Sequence, residues 1–201
     1  MLTPNIRSID SDARKTQLVN NAMNLFIRVG IDKVSMQLLA RSSGVSKGVL
    51  YRYFESKADL MAAILLGDER ELGAELESTR LHGDAAQVLE KYFRFRLQSI
   101  EKYKLLYEIE TSLEEQKCQL ARYDEWKQIR QRHVDLISDC IVGRLSGRRQ
   151  GEHSGYYYGY VWSLIHGMAY LNDSVFFHQL INDRRGFTQF INDLSQKMLE
   201  L

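Results

Sequence analysis

Proline occurs once, at Pro4, so ring geometry bars nothing beyond the first few residues from a helix. The two cysteines, Cys118 and Cys140, are too few for a disulfide framework and lack the paired spacing of a zinc site. Free thiols are expected, with a redox-sensing pair as the alternative. β-Branched alternation is almost absent, and the case for sheets goes with it. No Gly-rich phosphate loop, internal repeat, low-complexity tract or metal-ligand cluster is visible, and the five histidines are scattered. No nucleophile sits in a recognisable turn context, so no catalytic residue, metal or cofactor is expected, and an enzyme is the disfavoured class. The longest uncharged run, from Gly155 to Asn172, contains His166, is rich in Gly, Ser and Tyr, and falls short of the roughly 20 mostly apolar residues of a membrane span. The opening MLTPNIRSID lacks the order of a secretory leader, so a cytoplasmic protein without membrane contact is expected.

What remains is a chain of 201 residues with 44% hydrophobic content and apolar positions at helical spacing, which predicts an all-α fold. Charge is uneven along it: residues 1–57 carry nine Lys/Arg against four Asp/Glu, and the remainder carries eighteen against twenty-two. A basic N-terminal lobe on an acidic body is the footprint of a DNA reader, although a solvated charged face would look the same.

The stretch VSMQLLARSSGVSKGVLYRYFESKADL, Val34 to Leu60, explains the basic lobe. Ser35 caps a short helix, Gly44 breaks it, and Ser46 caps a second, with Val45 and Leu50 placed as a hydrophobic staple. On that second helix Lys47, Gly48, Tyr51 and Arg52 share one face, a donor-rich surface at a helix N-terminus of the kind a major groove accepts. Before this pair, Leu18, Ala22, Leu25, Phe26 and Val29 form the stripe of a bracing helix that Gly30 closes. The expected roles are phosphate contacts by Tyr51, Tyr53, Lys57 and the Ser35 cap, base reading by Gln37, Lys47 and Arg52, and close approach at Gly48, with the Ser46 cap counted among the DNA-binding residues.

Ser35, Leu39, Ala40, Gly44, Val45, Ser46, Gly48, Leu50, Tyr51, Tyr53, Phe54, Ser56, Lys57 and Leu60 stand where the TetR family of bacterial transcriptional regulators places T-x-x-x-I-A-x-x-A-G-V-S-x-G-x-L-Y-x-Y-F-x-S-K-x-x-L. The chain resembles that family over its first third. Ser35 stands for Thr, Leu39 for Ile and Ser43 for Ala, each keeping the cap or the packing. Gln37, Lys47, Val49 and Arg52 occupy the variable positions, which leaves the operator open. The resemblance implies a three-helix helix-turn-helix domain over 1–57 and a helical ligand-binding and dimerisation domain over 58–201.

In the second domain, periodicity predicts helices over 57–79, 84–104, 114–143, 155–172 and 186–201. Arg96 and Arg130 fall among apolar stripes and need partners, either a carboxylate such as Glu108 or Glu110 or an acid on a ligand. Phe93, Tyr103, Tyr107, Trp126, Tyr157 and Met168 supply inward aromatic and apolar surface, either plain core or, with Arg96 and Arg130, the lining of an effector site. Gly155, Gly159, Ser163 and Gly167 recur every fourth residue and make a flat seam, which serves either packing within the chain or, with Phe190 and Leu194, a homodimer interface. The expected protein is thus a dimeric regulator of double-stranded operator DNA, a repressor released by a small hydrophobic or aromatic effector. The alternatives are a DNA-binding protein of the same fold without small-molecule control, such as a nucleoid-associated or protein-partner-controlled factor, and a helical enzyme or carrier with a relic head.

Overall fold

A computed structural model of the chain describes residues 6–82, 85–142, 154–171 and 173–181, with 183, 186–187, 189–190 and 193 beyond them. Among these residues there are nine helices and no strand: α1 (Ile6–Val29), α2 (Met36–Ser42), α3 (Lys47–Tyr53), α4 (Lys57–His82), α5 (Ala85–Leu97), α6 (Ile100–Glu115), α7 (Ala121–Val142), α8 (Ser154–Leu171) and α9 (Val175–Leu180). No helix among them is long and apolar enough to cross a membrane.

The backbone groups into two compact units, one of Met1–Asp68 with Lys104–Trp126 and one of Glu69–Tyr103 with Lys127–Leu201. This is a different partition from a single cut after residue 57. The reason lies in α4, whose residues Leu60 to Leu66 are all buried. A helix apolar on every side belongs inside a core, so its first turns complete the first unit.

In that unit α1 buries Leu18, Ala22, Leu25 and Phe26, while Val29 stays 37% exposed at the helix end. Gly30 closes the helix at φ +89°, its amide on the Phe26 carbonyl at 2.8 Å. Gly44, at φ +65°, closes α2 with a full Schellman pair: its own amide donates to Arg41 at 3.1 Å and that of Val45 to Ala40 at 3.0 Å. A left-handed residue costs glycine little, and both breaks fall where the sequence put glycine.

The second unit has its own core of Leu72 and Leu76 from α4, Val88, Leu89, Tyr92, Phe93 and Phe95 from α5, Ile137 and Ile141 from α7, and Val161, Ile165 and Ala169 from α8. The long helix expected over 84–104 is two helices. Ser99 interrupts it, accepting from the Lys102 amide through its hydroxyl at 3.2 Å and from the Tyr103 amide through its carbonyl at 3.0 Å, which makes it the N-cap of α6. Helix α9, capped by Ser174 onto the Phe177 amide, was not anticipated by periodicity. Of the helix expected over 186–201 only positions up to 193 are described, and Leu194 lies outside the described residues.

Candidate nucleic-acid interface and effector site

The two reading helices are set by their caps. The Ser35 hydroxyl accepts from the Leu38 amide at 3.2 Å, and that of Ser46 from the Val49 amide at 3.3 Å. Leu50, 1% exposed, roots α3 in the core, and Phe54 at its C-cap is fully buried. Opposite them Lys47, Gly48, Tyr51 and Arg52 are exposed together, and Gln37 is exposed on α2. The Lys47 ammonium lies 5.5 Å from the Tyr51 ring centroid, a cation–π pair on this surface. A Cβ added at Gly48 would meet nothing closer than the Ser46 hydroxyl at 3.9 Å, so no intrachain contact demands glycine there.

Lys57 and Tyr53 are less free than the sequence suggested. The Lys57 ammonium donates to the Ile31 carbonyl at 2.6 Å and sits 6.0 Å from the Phe26 ring centroid, bracing the turn after α1. Two of its N–H donors remain beyond that bond. Tyr53 is half-buried, and its carbonyl takes a hydrogen bond at 3.1 Å from Arg122 in the first turn of α7. Arg122 also pairs with Asp59 and was not marked by the sequence.

The eight expected effector residues are divided between the two units. Tyr107 and Trp126 belong to the unit that holds α3, and the other six to the second unit. Trp126 is committed to core packing, its ring stacked on Tyr123 at 5.2 Å and 6° between planes. In the second unit Phe93 and Tyr103 are buried, and Tyr157 and Met168 are half-buried.

Arg96 and Arg130 do meet, at the carboxylate of Glu69 on α4. Both donate to the same oxygen of Glu69, at 2.8 and 3.0 Å, and the His133 Nδ1 lies 2.6 Å from the other oxygen. Glu108 and Glu110, the partners suggested by sequence proximity, are on the first unit's share of α6. Burial would push the Glu69 carboxyl up, but the charges of Arg96 and Arg130 and the hydrogen bonds from His133 and Arg96 hold it well below the usual carboxylate range. An ionised carboxylate only accepts, so Nδ1 of His133 carries the proton. Aromatic rings enclose the cluster: Arg96 lies 5.5 Å from the Tyr92 ring and Arg130 5.7 Å from the Tyr158 ring, and the two phenols are hydrogen-bonded at 2.9 Å. Burial and the Tyr92 neighbour push the Tyr158 phenol up, so it stays neutral. A Cβ at Gly73 would come within 3.1 Å of the His133 Nε2, which gives that glycine a packing reason.

The small-residue seam of α8 is not closed by the chain's own described residues. Gly155, Ser163 and Gly167 are exposed, and nothing lies within 4 Å of a Cβ placed at Gly155, Gly159 or Gly167. On the same helix Tyr156 is 72% exposed, and Phe190 further along the chain is 57% exposed.

Residues 18–64 match the profile described as bacterial regulatory proteins, tetR family. Among curated proteins the chain is similar to the HTH-type transcriptional regulator AcrR of Shigella flexneri, 31% identical over 110 residues and 51% of each chain. It is also similar to the HTH-type transcriptional regulator BetI of Vibrio campbellii, 33% identical over 76 residues, which are 37% of this chain and 38% of that one. The match therefore spans about half of AcrR and less of BetI. Among solved structures, a tetR-family regulatory protein from Rhodococcus RHA1 aligns with a TM-score of 0.68 at 16% identity, covering 92% of this chain and 96% of that one. The ketosteroid transcriptional regulator KstR2 of Mycobacterium tuberculosis aligns with a TM-score of 0.62 at 17% identity over 93% of both. The likeness in fold thus extends well beyond the 47 residues of the profile match.

Proposed function

We propose that this chain is a member of the TetR family of bacterial transcriptional regulators, a cytoplasmic homodimeric repressor that a small hydrophobic acid releases from its operator; the tetR-family profile match over residues 18–64 supports the assignment. In this reading it acts as a DNA-binding regulator rather than as an enzyme, as the profile match and the likeness to AcrR support. The observation that carries the reading is the exposed face of α3, where Lys47, Gly48, Tyr51 and Arg52 stand together on a helix fixed by Leu50 and the Ser46 cap. Lys47, Arg52 and Gln37 read base edges, while Ser35, Ser46, Tyr51, Tyr53 and the remaining donors of Lys57 hold phosphates. Gly48 keeps the surface flat for close approach to the duplex.

Pairing of two chains is supported by the open seam at Gly155, Gly159, Ser163 and Gly167 and by exposed Phe190. A two-fold pair presents two heads to two half-sites about 34 to 36 Å apart or a multiple of that. The effector reading is supported by the Glu69 cluster. Arg130, the more exposed of the two guanidiniums, is the one that an incoming carboxylate takes by exchange for Glu69, with Phe93, Tyr103, Tyr157 and Met168 for its apolar body. Release requires that the acid favour the conformation whose heads no longer match the half-sites.

The test uses a duplex selected from a random pool by the wild-type chain and an unrelated duplex as control. Arg52→Ala should cost about 1 to 3 kcal/mol on the selected duplex alone, and Lys57→Ala should weaken both and lower the salt slope by about one. Equal loss on both duplexes for Arg52→Ala removes its reading role. Gly159→Leu should give monomers, and a thermal-shift panel of hydrophobic acids should stabilise wild type but not Arg130→Met.

A further inference from the structure

One side chain in the first unit joins three elements that the helix-turn-helix alone does not explain. Arg122, in the first turn of α7, donates at 3.1 Å to the carbonyl of Tyr53, the last residue of α3. It pairs with Asp59 in the first turn of α4, and its guanidinium lies 5.6 Å from the ring of Phe54, the C-cap of α3. Asp59, 5% exposed, also accepts the Glu55 amide at 3.0 Å in the link between α3 and α4. Carbonyls at a helix C-terminus lack intrahelical partners and carry the negative end of the dipole, so a guanidinium satisfies both needs at once. A lysine could not reproduce this, because only a planar fork reaches a carboxylate and a carbonyl while lying against a ring.

The helix that carries Arg122 is itself held. The next residue, Tyr123, is buried, donates its phenol to Glu114 of α6 at 2.6 Å and stacks on Trp126. Burial and the Glu114 hydrogen bond push that phenol up, so the donor is permanent. We propose that Arg122 is a positioning residue for DNA reading: from α7 it fixes the end of α3 against the start of α4 and so sets the angle at which Lys47, Tyr51 and Arg52 are presented. This rests on the DNA-reading function proposed above. Arg122 touches no DNA in this account; it acts through Tyr53, Phe54 and Asp59.

Two readouts separate positioning from contact and from simple stability. On the duplex selected by the wild-type chain, Arg122→Ala should weaken binding by about tenfold or more, the equivalent of one lost base contact. The slope of log affinity against log salt should not change, because no phosphate contact is lost. On an unrelated duplex the affinity should change by less than about twofold, since that binding is nearly all backbone charge. Hydrogen exchange at the Glu55 amide should quicken in the DNA-free variant. Asp59→Asn, which keeps the cation and breaks the tie from the other side, should reproduce the loss, and the double variant should be no worse than either alone. The proposal is overturned if Arg122→Ala binds the selected duplex like wild type, or if both duplexes weaken together with a salt slope lower by about one, which would make Arg122 a phosphate contact. It is equally overturned if only the melting temperature falls. A wild-type chain that selects no duplex at all removes the DNA-reading function itself, and this inference with it.

Discussion

Helix α4 buries three carboxylates, Asp59, Asp68 and Glu69, and α7 supplies a guanidinium to two of them, Arg122 to Asp59 and Arg130 to Glu69. The settings differ. Asp59 serves a local purpose: it takes one cation, one amide of the α3–α4 link, and sits three residues after the Ser56 hydroxyl that caps the helix. Glu69 is 1% exposed and is shared by two guanidiniums and an imidazole drawn from two other helices. A carboxylate with one cation ties down a neighbour, whereas one contested by three groups can exchange partners. The first kind suits a fixed reading head and the second suits a site that must respond to a ligand.

The sharpest way to break this comparison is to delete the contested carboxylate. Removing one member of a buried ionic group leaves the others uncompensated, so Glu69→Ala should cost about 3 to 5 kcal/mol in urea unfolding. Its pH dependence has a defined sign. The folded-state pKa of Glu69 lies below the ordinary 4.5, so its contribution is fully present above that value and is lost as pH falls through the folded value. Wild type should therefore lose stability progressively below about pH 4.5, and Glu69→Gln, already weaker at neutral pH, should show a shallower acid limb. Identical acid limbs would mean that Glu69 does not titrate as the geometry requires.

A smaller effect tests how tightly the cluster is packed. Gly67 and Gly73 lie six residues apart on α4, yet a Cβ at Gly67 meets open space and one at Gly73 comes within 3.1 Å of the His133 ring. Glycine in a helix interior is about 1 kcal/mol worse than alanine, so Gly67→Ala should stabilise the protein by up to that amount. At Gly73 the same gain is opposed by displacing a ring that is hydrogen-bonded to Glu69, and Gly73→Ala should destabilise by about 1 kcal/mol. If both variants are stabilised alike, His133 moves freely and the cluster is looser than its distances imply.

These residues also show what could be read from the sequence. Helix caps, glycine breaks and the outward face of α3 depend on residues within one or two turns of each other, and Ser35, Ser46, Gly30 and Gly44 do what their spacing said. The buried arginines announced that they needed partners. Their partner was not legible, because Glu69 lies 27 residues before Arg96 and 61 before Arg130, at the start of the stretch of α4 that reads as a charged surface after its apolar first turns. Arg122 was missed for the same reason: its partners are 63 and 69 residues away, and an arginine in a first turn looks like ordinary solvated charge. The break at Ser99 could have been found from its capping residue alone.

The smallest expected effect concerns the turn that delivers Arg122. Helix α6 ends in the same bonding pattern as α2, with the Lys117 amide on the Glu114 carbonyl at 2.9 Å and the Cys118 amide on that of Leu113 at 3.1 Å. The left-handed position at α2 is Gly44, but here it is Lys117, at φ +50°. An L-residue in that region is disfavoured by roughly 1 to 2 kcal/mol, because its Cβ crowds the following carbonyl. Lys117→Gly relieves that strain but adds freedom to the unfolded chain, which offsets part of the gain. The net should be a stabilisation of about 0.5 kcal/mol, read as a small rise in melting temperature. Lys117→Ala keeps the Cβ and should give no such rise. If the turn only shapes the entry to α7, neither change should alter DNA affinity, whereas Arg122→Ala five residues later should. A Lys117→Gly variant that is more stable yet binds the selected duplex less well would shift the positioning role from the Arg122 guanidinium to the stiffness of the turn before it.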